Sequence, residues 1–277
     1  MIFYLVVVGS ERYDCHNQTH VDGEGRDMIS GRKVIVVMPA YNAAKTLAKT
    51  FREIPRHIVD HVVLVDDCSQ DETVKIAKEL GIHTILHKKN EGYGGNQKTC
   101  YDYALTTDAD IVVMLHPDYQ YTPSLISALC EKLIAESADV VLGSRFLSYH
   151  PLDGGMPMIK FICNIALTRL ENLILGSSLS EFHTGYRVFS ASFLRAINYR
   201  RFSDGFLFDN QMLVDAISKD AVLAEVGCPT KYFEDSSSIS LISSAVYAIQ
   251  CIFIAVKSRI KGFQSIGASM QKNLPHS

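Results

Sequence analysis

His116, Asp118 and Gln120 stand at alternate positions in the stretch MLHPDYQY, residues 114–121, where an apolar run meets a polar one. An imidazole nitrogen and two oxygen donors within five residues can hold a divalent cation, and an extended chain projects alternate side chains to one side. A cation held there would also grip a diphosphate. Pro117 stiffens the turn. The competing reading packs His116 against Tyr119 or Tyr121 and leaves Asp118 as the one functional group. Two other clusters have chemical potential. Asp66 and Asp67 end an apolar run and can accept hydrogen bonds from a nucleobase or ribose, or Asp66 or Asp71 can simply cap the turn. Gly92, Gly94 and Gly95 precede a helical pattern and allow close backbone approach to a phosphate, with Lys98 adding charge one turn later. This is not the dinucleotide fingerprint, which would follow the first strand, and no G-K-[ST] P-loop occurs.

These residues need elements to position them, and the chain alternates β-branched apolar runs with helix-length segments. The runs are VIVVM (34–38), HVVLV (61–65), HTIL (83–86), DIVVML (110–115) and DVVLG (139–143). Helices are expected at about 43–53, 71–80, 96–106 and 123–135, the second opened by Ser69 and Glu72 at capping-box spacing. Such βαβ alternation predicts an α/β fold with a mainly parallel sheet covered on both faces. Ligands then bind beyond the carboxyl ends of the strands. There the chain carries PAYN, DDCSQD, NEGYGGNQK, HPDYQY and GSRF, so five polar ends are expected on one rim.

Composition narrows the function. With 47% hydrophobic residues, 21% charged residues and a formal net charge of -3, nothing in the bulk charge favours nucleic acid. Seven scattered cysteines without a C-x-x-C pair fit reduced thiols in a cytosolic compartment. Residues 1–32 read as a loose leader, with an edge strand over residues 2–8 as the alternative. Residues 33–240 read as one catalytic domain. Two later segments have apolar stripes at helical spacing, one through Met158, Ile162, Ile165 and Leu173 and one from Leu241 to Ile260. The second is interleaved with Lys257 and Arg259 and followed by Lys261, and is too short and polar to span a bilayer. Residues 241–277 are therefore expected as an amphipathic helix and tail that face a membrane surface, the domain itself or another subunit.

In order and spacing, VVMPAYNAAKTL, VLVDDCSQDET, NEGYGGNQK, HPDYQ, GSRF, EFHTGYRVF and FDNQML resemble the family-2 glycosyltransferases, in the branch of dolichyl-phosphate mannose and polyprenyl-phosphate glucose synthases. The resemblance covers about residues 33–240 and implies an A-type glycosyltransferase fold, Rossmann-like, with inversion at the anomeric carbon. It implies that Pro39, Tyr41, Asn42, Asp66 and Asp67 surround the base and ribose, with Gly92, Gly94, Gly95 and Lys98 nearby. The family's metal motif D-x-D-x-Q is here H-P-D-Y-Q, so Asp118 becomes the principal ligand, Gln120 a helper and His116 the substitute for the first carboxylate. A nitrogen ligand tilts preference from Mg2+ toward Mn2+. Arg145 and Arg187 match the stretches that position the acceptor phosphate, a task suited to the forked guanidinium. A phosphate acceptor is already an anionic nucleophile. A sugar-hydroxyl acceptor would need a carboxylate base, for which Asp209 and Glu181 are the candidates. In place of the family's late basic pattern stands KYFEDSSSIS, offering Lys231 and Ser236 to Ser238.

The resulting expectation is transfer of a hexose from UDP- or GDP-hexose to a polyprenyl phosphate, with Mn2+ or Mg2+, at the cytoplasmic membrane face. Asp118, Arg145, Arg187 and Asp209 form the expected catalytic set, and a homo-oligomer is compatible with it. The alternatives are a saccharide-hydroxyl acceptor and a non-catalytic nucleotide-sugar-binding protein. A sugar nucleotidyltransferase would have a glycine-rich basic loop where this chain has PAYNAAKT.

Overall fold

A computed structural model of the chain describes residues 20–21, 27–147, 150–230 and 241–272, with side chains for 29–147, 150–230 and 243–260. Most of the expected leader therefore lies outside the described residues. Within it, β1 (His20–Val21) pairs antiparallel with β2 (Asp27–Met28). The main sheet has seven strands: β3 (Val34–Ala40), β4 (His61–Asp66), β5 (His83–Leu86), β6 (Ile111–Met114), β7 (Val140–Ser144), β8 (Arg187–Ser190) and β9 (Leu223–Gly227). Their order is β5-β4-β3-β6-β8-β7-β9, and every neighbouring pair is parallel except those made by β8, which runs antiparallel to β6 and β7. The mainly parallel sheet expected from the βαβ rhythm is present. The last two strands, RVFS and LAEVG, were not expected. Each is short, and β9 carries Glu225 in mid-strand.

β3 is buried along its whole length, so its residues alternate between two cores rather than between core and water. Val34, Val36, Met38 and Ala40 face one cluster with Leu47, Ile126, Leu129 and Leu133, while Ile35 and Val37 face the other with Tyr101, Leu194, Phe208 and Met212. Each fully buried side chain of this size contributes about 1.5–3 kcal/mol. The layers are supplied by α1 (Leu47–Arg52), α2 (Thr73–Glu79) and α4 (Ile126–Ala135) on the first face, and by α3 (Gly92–Thr106), α6 (Ala191–Ala196) and α7 (Phe208–Ser218) on the second. α5 (Met158–Leu175) and α8 (Leu241–Lys272) pack against each other, and α8 also packs on α7.

Two local expectations need correction. The Ser69/Glu72 capping box does not form. Ser69 Oγ instead accepts the Asn42 amide at 2.9 Å, and it is Asp71 Oδ1 that accepts the Thr73 amide at 3.0 Å. α3 starts at Gly92 rather than near residue 96, so the glycine run is its first turn. Glycine is needed there for closeness. A Cβ on Gly94 would stand 2.3 Å from the Ser203 carbonyl oxygen and 2.7 Å from Phe208 Cβ. Gly94→Ala must push the 203–208 segment off α3, and we expect a loss of about 2–3 kcal/mol, measured as a lower urea midpoint.

Candidate active site

The parallel strands deliver their carboxyl ends to one rim, and β8, running the other way, brings its first residue there too. Arg187 is level with Met114 and Leu142, the last residues of β6 and β7 that pair with β8. At the β3 end, Pro39 is buried in the strand and Tyr41 is 55% exposed. The next residues are stitched to the loop after β4: Asn42 Oδ1 accepts the Gln70 amide at 2.8 Å, and the Ala43 amide donates to Thr73 Oγ1 at 2.7 Å. Asn42 adopts φ +52°, which asparagine tolerates. Asp66 is buried, accepts the Ser69 amide through Oδ2 at 3.0 Å, and has no hydrogen-bond partner at Oδ1. Asn96 donates to the carbonyls of Ala40 and Val65 and likewise has an unpartnered Oδ1. Buried acceptors without donors are costly. Both belong to the rim that carries the exposed Tyr41.

Asp67 has a different job. Its carboxylate accepts the amides of Glu91 at 2.7 Å and Gly92 at 3.0 Å and contacts His87 Nδ1 at 2.7 Å, so it anchors the N-terminus of α3. The glycine segment is also engaged internally. The amides of Gly94 and Gly95 both donate to the Asp204 carbonyl, and Lys98 Nζ donates to the Phe202 carbonyl at 2.5 Å and to Asp204 Oδ1 at 2.6 Å. The expected phosphate cradle of Gly92, Gly94, Gly95 and Lys98 is thus turned against the 203–208 segment, because its donors already have carbonyl and carboxylate partners.

Beyond β6 the chain turns at residues 117–120 with Tyr119 at φ +59°, rather than running on extended as expected, yet His116, Asp118 and Gln120 are half-buried and Pro117, Tyr119 and Tyr121 are buried. α1 holds this loop through Thr50 Oγ1, which donates to the Pro117 carbonyl, through Glu53, which accepts from the Tyr119 hydroxyl, and through Lys49 over the Tyr119 ring. Asp118 Oδ1 accepts the Gln120 amide at 3.1 Å. The carboxylate of Asp118 and the amide oxygen of Gln120 are hard donors of the kind that suits Mn2+ or Mg2+. Among the described residues no three His, Cys, Asp or Glu side chains are grouped to hold a metal ion.

His116 departs from the expected ligand role in a specific way. Its ring stacks on Tyr93 at 5.3 Å and 6°, and Nε2 is 3.1 Å from the Tyr93 hydroxyl. That hydroxyl donates its one proton to Asp209 Oδ2 at 2.5 Å, so His116 Nε2 must carry the hydrogen that reaches Tyr93. Nε2 is therefore not a ligating atom here, and any metal contact must use Nδ1. Burial, and then the Asp209 carboxylate, push the Tyr93 phenol well above its usual range, so Tyr93 remains a donor. Gln97 Nε2 completes the shell of Asp209, donating to Oδ1 at 3.1 Å. Beneath the imidazole lies Gly185, where a Cβ would come within 2.9 Å of the ring. Tyr93 and Gln97 escaped the sequence reading. With α3 starting at Gly92, their i, i+4 spacing puts both on one face toward Asp209.

Both arginines expected at the acceptor phosphate are turned inward. Arg187 is 1% exposed and donates to the carbonyls of Thr184 at 2.9 Å, Asp209 at 2.7 Å and Phe182 at 3.1 Å. Arg145 pairs with the fully buried Glu181, through Nε at 2.6 Å and through Nη2, and its amide donates to the other Glu181 oxygen at 2.7 Å. Lys160, on the first turn of α5, lies in the field of this pair; partial burial and then Arg145 lower its pKa, with Glu181 opposing. Lys231 and Ser236 to Ser238 lie outside the described residues.

Arg187→Met should cost about 3–5 kcal/mol by leaving the buried carbonyls of Phe182, Thr184 and Asp209 without their donor. Tyr93→Phe should cost about 1–3 kcal/mol, because buried Asp209 loses a donor. Urea unfolding measures both.

The comparisons with known proteins converge on this geometry. The glycosyl transferase family 2 model matches residues 35–197. The UDP-N-acetylglucosamine–dolichyl-phosphate N-acetylglucosaminyltransferase of Methanococcus voltae is 27% identical over 75% of this chain and 89% of its own. The polyprenol monophosphomannose synthase of Mycolicibacterium smegmatis is 24% identical over 80% of this chain and 87% of its own. Glucosyl-3-phosphoglycerate synthase of Mycobacterium tuberculosis, solved with UDP, superposes with a TM-score of 0.63 at 20% identity, covering 83% of this chain and 81% of that one. Other structures of that enzyme hold UDP together with Mn2+ or Mg2+. The sheet order and this superposition give the A-type fold expected from the motifs. With its family motifs on the strand-end rim and the family match spanning more than half of its length, the chain belongs to glycosyl transferase family 2 and is a glycosyltransferase.

Proposed function

We propose that the chain transfers a hexose, with inversion, from a nucleotide-diphosphate sugar to a polyprenyl phosphate. The observation that carries the acceptor class is the state of the two carboxylates that a hydroxyl acceptor would require as base. Glu181 is fully buried against Arg145, and Asp209 is 7% exposed with Tyr93 and Gln97 on its two oxygens. Neither is open to a hydroxyl proton, and a phosphate acceptor needs no base because its oxygen is already anionic. The named relatives support the same class, since their own acceptors are dolichyl phosphate and polyprenol phosphate.

On the donor side, Tyr41 offers an exposed ring for the base, on the rim whose buried interior holds Asp66 and Asn96. Asp118 and Gln120 would hold the divalent ion, which supplies Lewis-acid neutralisation of the departing diphosphate. The remaining contribution of the chain is to fix this rim: Asp67 pins α3, Asp71 and Asn42 tie the two nucleotide-side loops together, and Tyr93 fixes the tautomer of His116 beside the diphosphate position.

The test is transfer of radiolabel from UDP- and GDP-hexoses into the organic phase with a polyprenyl phosphate, in Mn2+, Mg2+ or chelator. Label should enter the organic phase only with metal, and Asp118→Asn should lower the rate by about a hundredfold or more with an unchanged melting temperature. Label that stays in the aqueous phase with every donor and lipid phosphate tried would overturn the acceptor assignment.

A further inference from the structure

Tyr93 has a second aromatic neighbour. Phe206, in the segment before α7, packs on the Tyr93 ring at 4.9 Å and 34°, and Tyr93 in turn stacks on His116, so three rings stand in a row that ends at the loop after β6. Of the phenylalanines at 202, 206 and 208, the first and last pack into the second core cluster, and Phe206 is left 52% exposed. A single apolar side chain in water needs no explanation. This one, however, is presented on a pinned support: the amides of Gly94 and Gly95 and the ammonium of Lys98 hold Asp204, and the Ser203 amide donates to Gln211 Oε1 at 2.7 Å. A ring fixed in this way at the rim is preorganised for contact with a ligand.

Position and chemistry select the part of the ligand. A nucleotide-diphosphate sugar offers a base, a ribose, a diphosphate and a hexose in line. The exposed ring for the base is Tyr41, and the diphosphate belongs with the ion at Asp118 and Gln120. Phe206 is a separate exposed ring, and it joins the rim through His116, two residues before Asp118. A hexopyranose has faces lined by C–H bonds and a perimeter of hydroxyls. The C–H face suits the electron-rich face of an aromatic ring, and the hydroxyls need polar groups at the edge. Asp204, two residues from Phe206 and with its side chain 71% exposed, supplies a carboxylate there. A polyprenyl chain would instead need a continuous apolar path, whereas Phe206 follows Ser203, Asp204 and Gly205.

We propose that the exposed face of Phe206 is the surface on which the donor hexose stacks, which makes Phe206 a specificity-determining side chain for the transferred sugar. The inference rests on the nucleotide-sugar reading of the donor site and is independent of which acceptor the enzyme uses.

The chain has no tryptophan, so Phe206→Trp places its only indole fluorophore at this position. With Mn2+ present, the emission should change on addition of whichever of UDP-glucose, UDP-N-acetylglucosamine and GDP-mannose the protein binds, and should stay constant with UDP or GDP. In calorimetry Phe206→Leu, which keeps an apolar side chain against Tyr93, should weaken binding of that nucleotide sugar about tenfold and leave the affinity for the nucleotide diphosphate unchanged. Phe206→Tyr should bind like wild type. Equal weakening for the nucleotide sugar and the nucleotide diphosphate would assign the ring to the base, and an effect confined to the KM for polyprenyl phosphate would assign it to the lipid. Either result overturns the proposal, as does a leucine variant that binds like wild type. None of the binding measurements needs an acceptor, so selective loss of sugar binding in a protein that transfers nothing to lipid supports the hexose contact and removes only the acceptor reading. Wild-type protein that binds none of the three donors overturns the donor reading and this inference together.

Discussion

The guanidinium of Arg187 sits in the interior with the carbonyl oxygens of Phe182, Thr184 and Asp209 around it. Removing such a charge from water costs several kcal/mol unless dipoles and a counter-charge replace the hydration shell. Three carbonyls supply the dipoles, one of them from Asp209 in the first turn of α7. The arrangement joins the loop before β8, β8 itself and the start of α7. Asp209 then reaches α3 through Tyr93 and Gln97, and Tyr93 reaches His116 on the loop after β6. One buried cation thereby sets the relative positions of two strand ends and two helices.

Around it the rim divides into groups that are internally satisfied and groups that are not. Asp67, Gly92, Gly94, Gly95, Lys98, Arg145 and Arg187 all have protein partners, which tie neighbouring loops together. Asp66, Asn96, Tyr41, Asp118 and Gln120 retain an unpartnered oxygen or exposed area. A preorganised site needs both kinds, since a ligand can be oriented only by groups whose own supports are already rigid.

Much of this plan was legible from residue order. The five β-branched runs became five strands within a residue or two of their expected ends, and the polar segments after them did gather on one edge. Periodicity reads burial well because it reports the environment of a whole element. It reads individual polar side chains poorly. Nothing in GSRF or TGYRVF tells a guanidinium aimed at a ligand from one aimed at Glu181 or at backbone carbonyls, because that choice depends on partners contributed from far along the chain. The same limit explains His116: its partner Tyr93 lies on a helix whose start was displaced by four residues, and its ring packs on Gly185 from a third segment. β8 and β9 were missed because Arg187 and Glu225 interrupt their apolar runs, where each holds partners from the loop before β8.

The antiparallel strand also orders the history of the molecule as it is made. β3, β4, β5 and β6 are contiguous in the sheet and in synthesis, so four strands can assemble as they emerge. β7 cannot join them. Its sheet neighbours are β8 and β9, both later in the chain, and β8 must insert between β6 and β7. Until Arg187 arrives, the apolar strand VVLGS has no lateral partner, and α5 has no α8 to lie against. The second half of the sheet can therefore pair only after the strand that carries the buried cation has been made, whereas the four strands of the first half are contiguous without it.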